Sequence, residues 1–328
     1  MPASALRIVQ LAKETGWTTA VSTATVKLVG LTDASLNVVP DVYQPTYMGT
    51  LAPLVTTALM GQHGEMSLTQ AASYQDICYW LDGVFGTAAG SAEANTTYVY
   101  NYAAALENPT TAPSYTVQYG YGTTNYALEG GLATNLTIAG EASGVWEVSV
   151  DLLGRAVSTM SMTTGVSTRE VDLIQMADTT LYITPWTQST VSGTAASATL
   201  ISFELTANPQ RHLKYFAGST NPGGHGDSVW ESQLVTVMEY NSTAKALVDE
   251  LTDPAIVQRQ IRLAAATGTG TTRREATIDF AGTLAEDVEL WGDRDGNMTV
   301  SLTWNGTYQS DMANFLKVRV QNELSTLP

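Results

Sequence analysis

The stretch GDRDGNMTVSLTWNG, Gly292 to Gly306, has two competing readings, and the choice between them decides the fold. Asp293, Asp295 and Asn297 stand at alternate positions, as the first oxygen ligands of a calcium loop do. Such a loop also needs a glycine at its sixth position for the sharp turn and a two-oxygen carboxylate at its twelfth. Counted from Asp293, those positions hold Met298 and Trp304. From Met298 to Trp304 apolar and polar residues alternate instead, the period of a strand with one buried face. Gly, Asn and Asp then act as turn formers, and the stretch predicts a β-hairpin rather than a metal site.

A second copy supports the hairpin. LATNLTIAGEASGVWEVSVDLLG, Leu132 to Gly154, lies over LAEDVELWGDRDGNMTVSLTWNG, Leu284 to Gly306, at an offset of 152 without a gap. Gly140, Gly144, Val148, Ser149 and Gly154 are matched by Gly292, Gly296, Val300, Ser301 and Gly306. The first copy has Glu141-Ala142-Ser143 where the second has Asp293-Arg294-Asp295, so the glycines repeat and the carboxylate series does not.

The duplication extends outward. Ten short segments rich in β-branched or aromatic residues, among them SYTVQYG, TLYITP and SQLVTVMEY, predict strands throughout. Helix signals come as a pair. In SYQDICYWLDGVFG, Ser73 is the expected N-cap and Ile77, Trp80, Leu81 and Val84 form one apolar stripe. In NSTAKALVDELTD, Asn241 caps and Ala244, Leu247, Val248 and Leu251 form the matching stripe.

Leu81-Asp82 falls on Val248-Asp249 at an offset of 167, so the first half carries about 15 extra residues between helix and hairpin. GTAAGSAEANTT, residues 86–97, has the small polar composition of a surface insertion. Glu65 and Leu68 before the first helix match Glu231 and Leu234 before the second. An irregular loop is expected ahead of each of these strands, residues 40–64 and NPQRHLKYFAGSTNPGGHG in turn. The chain therefore divides into a first unit, 1–157, a linker, 158–170, and a second unit, 171–328.

Composition narrows the function. With 328 residues the chain is long enough for two cores. A formal charge of −16 sets it against nucleic-acid binding. One cysteine, Cys78, precludes an internal disulfide framework and suits a reducing compartment. MPASALRIVQLAKETGW lacks the apolar core of a signal peptide, and no apolar run approaches the length of a membrane span, so a soluble cytoplasmic protein without a membrane partner is expected.

Chemistry-bearing patterns are scarce. His63 and His225 precede glycines in loops without a second ligand at zinc spacing. The Gly268–Gly270 run precedes a strand instead of opening a helix, unlike a phosphate loop. Cys78 sits in an apolar helix and reads as a buried, inert thiol. No catalytic, cofactor or metal residues are assigned.

The first loop is the unusual element. Pro40, Pro45 and Pro53 hold it extended, and YMGTLAPLVTTALM is too apolar to face water on a monomer. Tyr43, Pro45, Tyr47, Met48, Leu51, Leu54, Leu59 and Met60 are therefore candidate contacts to another subunit or another ring. In the first hairpin Glu147, Ser149 and Asp151 alternate with Val148, Val150 and Leu152, so Glu147 and Asp151 should leave the core.

In this order ALRIVQLAKETGWTTAV, MGTLAPLV, YWLDGVFG, SYTVQYG, LLGRAV, LYITP, GGHGDSVWE, TIDFAGTL and GDRDGNMTVSLTWNGTY resemble the major tail tube proteins of long-tailed double-stranded DNA phages, across nearly the whole chain. The resemblance implies a mainly β fold of two tandem β-sandwich domains, each with a flanking helix. Their inner strands close a β-barrel channel in stacked rings; Glu147 and Asp151, outside the core, would then face either its lumen or the exterior, and they are candidates for the lumen. It implies assembly with further copies of the chain and with tape measure, tail terminator and distal tail proteins. It places the protein in the host cytoplasm during assembly and then in the virion, with DNA passing through the lumen without specific binding. Where one-domain relatives form six-membered rings, a duplicated chain is expected to form trimers with pseudo-sixfold symmetry. A two-domain β-sandwich adhesin on the virion surface is the reading from another class.

Overall fold

A computed structural model describes the chain apart from residues 1–5, 50, 52–55, 95, 109–111, 123, 189–190, 192–198, 253–255, 286–288, 295 and 328. The protein is mainly β. Its first half contains β1 (Ile8–Lys13), β2 (Val26–Lys27), β3 (Leu31–Tyr43), β4 (Ala58–Ala71), α1 (Ile77–Phe85), β5 (Ser91–Ala94) and β6 (Thr97–Ala103). It continues through β7 (Tyr115–Tyr121), β8 (Thr124–Glu141), β9 (Trp146–Gly154) and β10 (Ala156–Thr159). The second half contains β11 (Thr179–Pro185), β12 (Leu200–Asn208), β13 (His212–Lys214), β14 (Gly224–Gly226), β15 (Glu231–Glu239) and α2 (Ser242–Thr252). It closes with β16 (Gln258–Thr267), β17 (Arg274–Leu284), β18 (Glu289–Arg294), β19 (Asn297–Gly306) and β20 (Leu316–Asn322).

The two halves pair in the same pattern, antiparallel throughout. β8 is long enough to serve two ladders: its first part bonds β7 and β10, its second part β9, and β9 continues to β4 and β3. In the second half β17 bonds β16 and β20, while β18 bonds β19, which continues to β15 and β12. β8 turns between its two ladders at Gly130, where φ is 65° and an added Cβ would meet the Trp17 carbonyl at 2.8 Å. Only glycine fits such a corner.

Both Gly-containing hairpins are present. The second turns through Gly296 at φ 82°, and Asp293 Oδ1 accepts the Gly296 N–H at 2.9 Å, so that carboxylate caps a turn. Among the described residues no group of three or more His, Cys, Asp or Glu could hold a metal ion. The ladders correct two equivalences: Gly292 takes the place of Ala139 and not of Gly140, because of a bulge in β18, and the strands before the helices shift by two residues. Met66 faces Leu152, and Leu234 faces Trp304, which lies 152 residues beyond Leu152. Leu234 therefore corresponds to Met66 and not to Leu68. A slip of two residues keeps every side chain on its own face, so alternation alone did not reveal it.

Both expected irregular loops are instead hairpins. β3 and β4 stay paired out to Tyr43 and Ala58, and β13 and β14 form a short hairpin in the second half. Pro40 is compatible with β3 because the strand is at an edge. Its partner Gln62 donates its N–H away from β3, to the Thr220 carbonyl at 2.8 Å, so the donor that proline lacks would have pointed outward.

Asn241 caps α2 as expected, accepting the Ala244 N–H at 3.0 Å. Ala244, Leu247 and Val248 are buried, and the Leu251 side chain lies outside the described residues. In α1 the N-cap is Asp76 and not Ser73, whose Oγ accepts the Asp76 N–H at 3.0 Å one turn ahead of the helix. The one-faced stripe expected for α1 is not what forms: all nine of its residues are buried, Cys78 and Asp82 included. Its outer side is covered by Arg169 of the linker, by Tyr102 on β6, and by Asn322 and Arg211 of the second half.

Candidate assembly surfaces

Joined across the halves, one antiparallel sheet runs β3–β4–β9–β8–β12–β15–β19–β18, with Leu136 to Glu141 of β8 bonded to Ala207 to Ser202 of β12. One face of this sheet buries Met66, Leu68, Ile138, Val148, Val150, Leu205, Leu234, Val300 and Leu302 in the core. The other face is largely polar, with Ala139, Leu153, Val235 and Val237 interspersed. Ser67 Oγ donates to Asp151 Oδ1 at 2.6 Å, Thr69 and Ser149 hydroxyls lie 3.0 Å apart, and Gln233 donates to Asn305 at 3.2 Å.

Glu147 and Asp151 both lie on this polar face and both are exposed. Sequence reasoning missed how far the acidity extends. Asp33, Glu65, Glu204, Glu231 and Glu239 share the face, and Arg294, ion-paired with Glu141, is the only Arg or Lys in these eight strands. Lysines and arginines lie on β1, β2, β13, β16, β17 and β20 instead, as with Arg262, which grips the Asp279 carboxylate through two nitrogens at 2.5 and 2.8 Å. Single acidic residues were legible in the sequence, but only the ladders gather them onto one face.

The sheet has two unpartnered ends. Among the described residues β3 pairs with no strand other than β4 and β18 with none other than β19, although the Tyr119 hydroxyl donates to the Ala34 carbonyl of β3 at 2.9 Å. Exposed backbone edges of this kind template further strand addition.

The arm formed by β3 and β4 carries the candidate contact residues. Tyr43, Tyr47, Leu59 and Met60 are exposed, Met48 and Leu51 are fully so, and Pro45 is half-buried. Leu54 lies outside the described residues. Val38 and Val42 extend the apolar surface down the arm. Neither was among the expected contacts, and Val42 falls in the stretch expected to be an irregular loop. At its base the arm meets the second half, where Tyr215 Oη and His63 Nδ1 lie 3.1 Å apart and Gln62 Nε2 donates to Asn221 at 3.2 Å.

Arg211, at the foot of the β13–β14 hairpin, is the residue that sequence reasoning had no means of finding. It is buried and donates to the carbonyls of Gly83 and Val84, at the C-terminal end of α1, and of Ala133. Its Nε lies 3.3 Å from Asp227. Burial lowers the guanidinium pKa, with Asp227 opposing the shift. Cations at a helix C-terminus complement the helix dipole. Cys78 is buried and burial pushes its thiol pKa up, as befits an unreactive side chain. No helix among the described residues is long and apolar enough to cross a membrane. A scan of family models and a search of curated proteins returned no match to the chain.

Proposed function

We propose that the protein is a structural subunit that assembles as stacked trimeric rings into a hollow phage tail tube, with each half acting as one β-sandwich domain of a pseudo-sixfold ring. The observation that carries the reading is the eight-stranded sheet, acidic on its free face and unpartnered at both ends. Ring closure removes such edges. Three copies contribute 24 strands. At a spacing of about 4.8 Å and a tilt of about 40° these close a barrel roughly 48 Å across between backbones, ample for a hydrated double helix.

In this reading the polar face lines the lumen. A basic wall would hold DNA by releasing its counterions, whereas the carboxylates of Glu147 and Asp151 let it slide. The exposed apolar arm reaches the adjacent ring. Tape measure, terminator and distal tail proteins complete the assembly, and the chain needs no cofactor. Negative-stain images of the purified protein should show rings or hollow tubes, while discrete particles would favour the adhesin. Deleting Thr46 to Thr57 should leave a folded chain that does not elongate. Normal tubes from that deletion would remove the arm from the contact between rings.

A further inference from the structure

The joint between the halves supplies a template for the joint between copies. In the chain Thr137 of β8 faces Thr206 of β12, Ala139 faces Glu204, Gly140 faces Phe203 and Glu141 faces Ser202. The ladders identify the second-half counterparts of the β8 residues. Glu289 faces Ser301, as Thr137 faces Ser149, and Gly292 faces Thr299, as Ala139 faces Glu147. A bulge between Glu289 and Gly292 then sets Asp293 in the place of Gly140 and Arg294 in that of Glu141. On the other side Leu36 faces Met66 as Leu205 faces Leu234, which makes Asp33, Ala34, Ser35 and Asn37 the counterparts of Ser202, Phe203, Glu204 and Thr206.

Resting on the ring reading, we infer that β18 of one copy bonds to β3 of the next with Glu289 opposite Asn37, Gly292 opposite Ser35 and Arg294 opposite Asp33, and that this joint is the weaker of the two in the ring. The bulge that shifts the register also sets Arg294, which pairs with Glu141 within its own chain, opposite the aspartate across the joint. Opposite charges on facing positions favour that register over its neighbours.

The weakness follows from what the copy-to-copy joint lacks. Inside the chain a second set of strand bonds, β6 to β20 from Tyr98–Asn322 to Ala103–Lys317, joins the halves, with β6 following the insertion after α1. After α2 only residues 253–257 precede β16, too few for a matching hairpin. The inner joint also has Arg211 in the end of α1 and Trp230 stacked on Phe85 at 5.4 Å. No Lys or Arg occurs in β3 or β4 to repeat the Arg211 anchor. Two sets of strand bonds and a buried cation therefore hold the inner joint, and a single set holds the outer one.

Paired cysteines test the register, because Cys78 is buried and a cross-strand disulfide needs Cα atoms about 4.4–6.8 Å apart. Assembled Asn37→Cys/Glu289→Cys protein, melting like wild type, should oxidise to covalent dimers and closed trimers, while the slipped pair Asn37→Cys/Asp293→Cys stays monomeric on a denaturing gel. Rings or tubes seen by negative stain without the first crosslink, or with the second in its place, would overturn the inference and leave the ring reading standing. Failure of wild-type protein to associate in sedimentation would remove both. Rising guanidinium should release folded single chains before tryptophan fluorescence reports unfolding. Coincident release and unfolding would overturn the claim of a weaker joint.

Discussion

α1 and α2 are the same element used twice, with Asp82 of the first in the place of Asp249 of the second, and they have opposite fates. All of α1 is buried. α2 buries one stripe and shows water Lys245, Ala246, Asp249 and Glu250. The difference comes from what each half receives from its neighbour. The second half supplies Arg211, Trp230 and Asn322 around α1. The two halves thus present one helix fully enclosed and the other with an exposed face.

Truncation in the two helices should separate them most. Trp80→Ala empties a fully buried site in α1 and should cost about 4–5 kcal/mol, whereas Leu247→Ala in α2 should cost about 2–3 kcal/mol, both read by urea unfolding. Equal losses would mean that α1 is no better enclosed than α2. Next is Arg211→Ala, which strands the α1 carbonyls and leaves Asp227 without its cation, with an expected loss of roughly 3 kcal/mol. A loss within experimental error would show that the joint does not depend on that anchor.

A smaller effect concerns pH. Burial raises the Asp82 pKa, against the Ala88 N–H at 3.2 Å, Lys13 at 3.5 Å and the Tyr102 hydroxyl at 3.0 Å. A carboxyl whose pKa is raised on folding is penalised while ionised and relieved once protonated. The stability of Asp82→Asn relative to wild type should therefore be greatest near neutrality and shrink as pH falls through the raised pKa. A difference that grows on acidification would contradict this. The smallest effect is expected at the counterpart: Asp249→Asn weakens an exposed pair with Lys245 and should leave the melting temperature nearly unchanged.

Much of this architecture was legible in the sequence. The glycine turns at 144 and 296 and the alternation after them gave both hairpins, and Asn241 marked its helix. Local pattern could not show long-range pairing. The stretch 86–97 reads as a polar surface insertion, yet it leads into β6, which bonds β20 across the halves. Pro40 looked like a loop residue because the free edge that tolerates it is a property of the sheet. The burial of α1 depends on residues more than a hundred positions away, Arg211 among them, and nothing near them in the sequence signals it.

In the proposed ring one chain supplies two of six places. A reconstruction of the assembled protein that resolves strands measures this directly. Three chains per ring, with six lobes alternating between a lobe carrying the long β3–β4 arm and a lobe carrying the short β13–β14 hairpin, is the expected result. Six chains per ring related by true sixfold symmetry would contradict it.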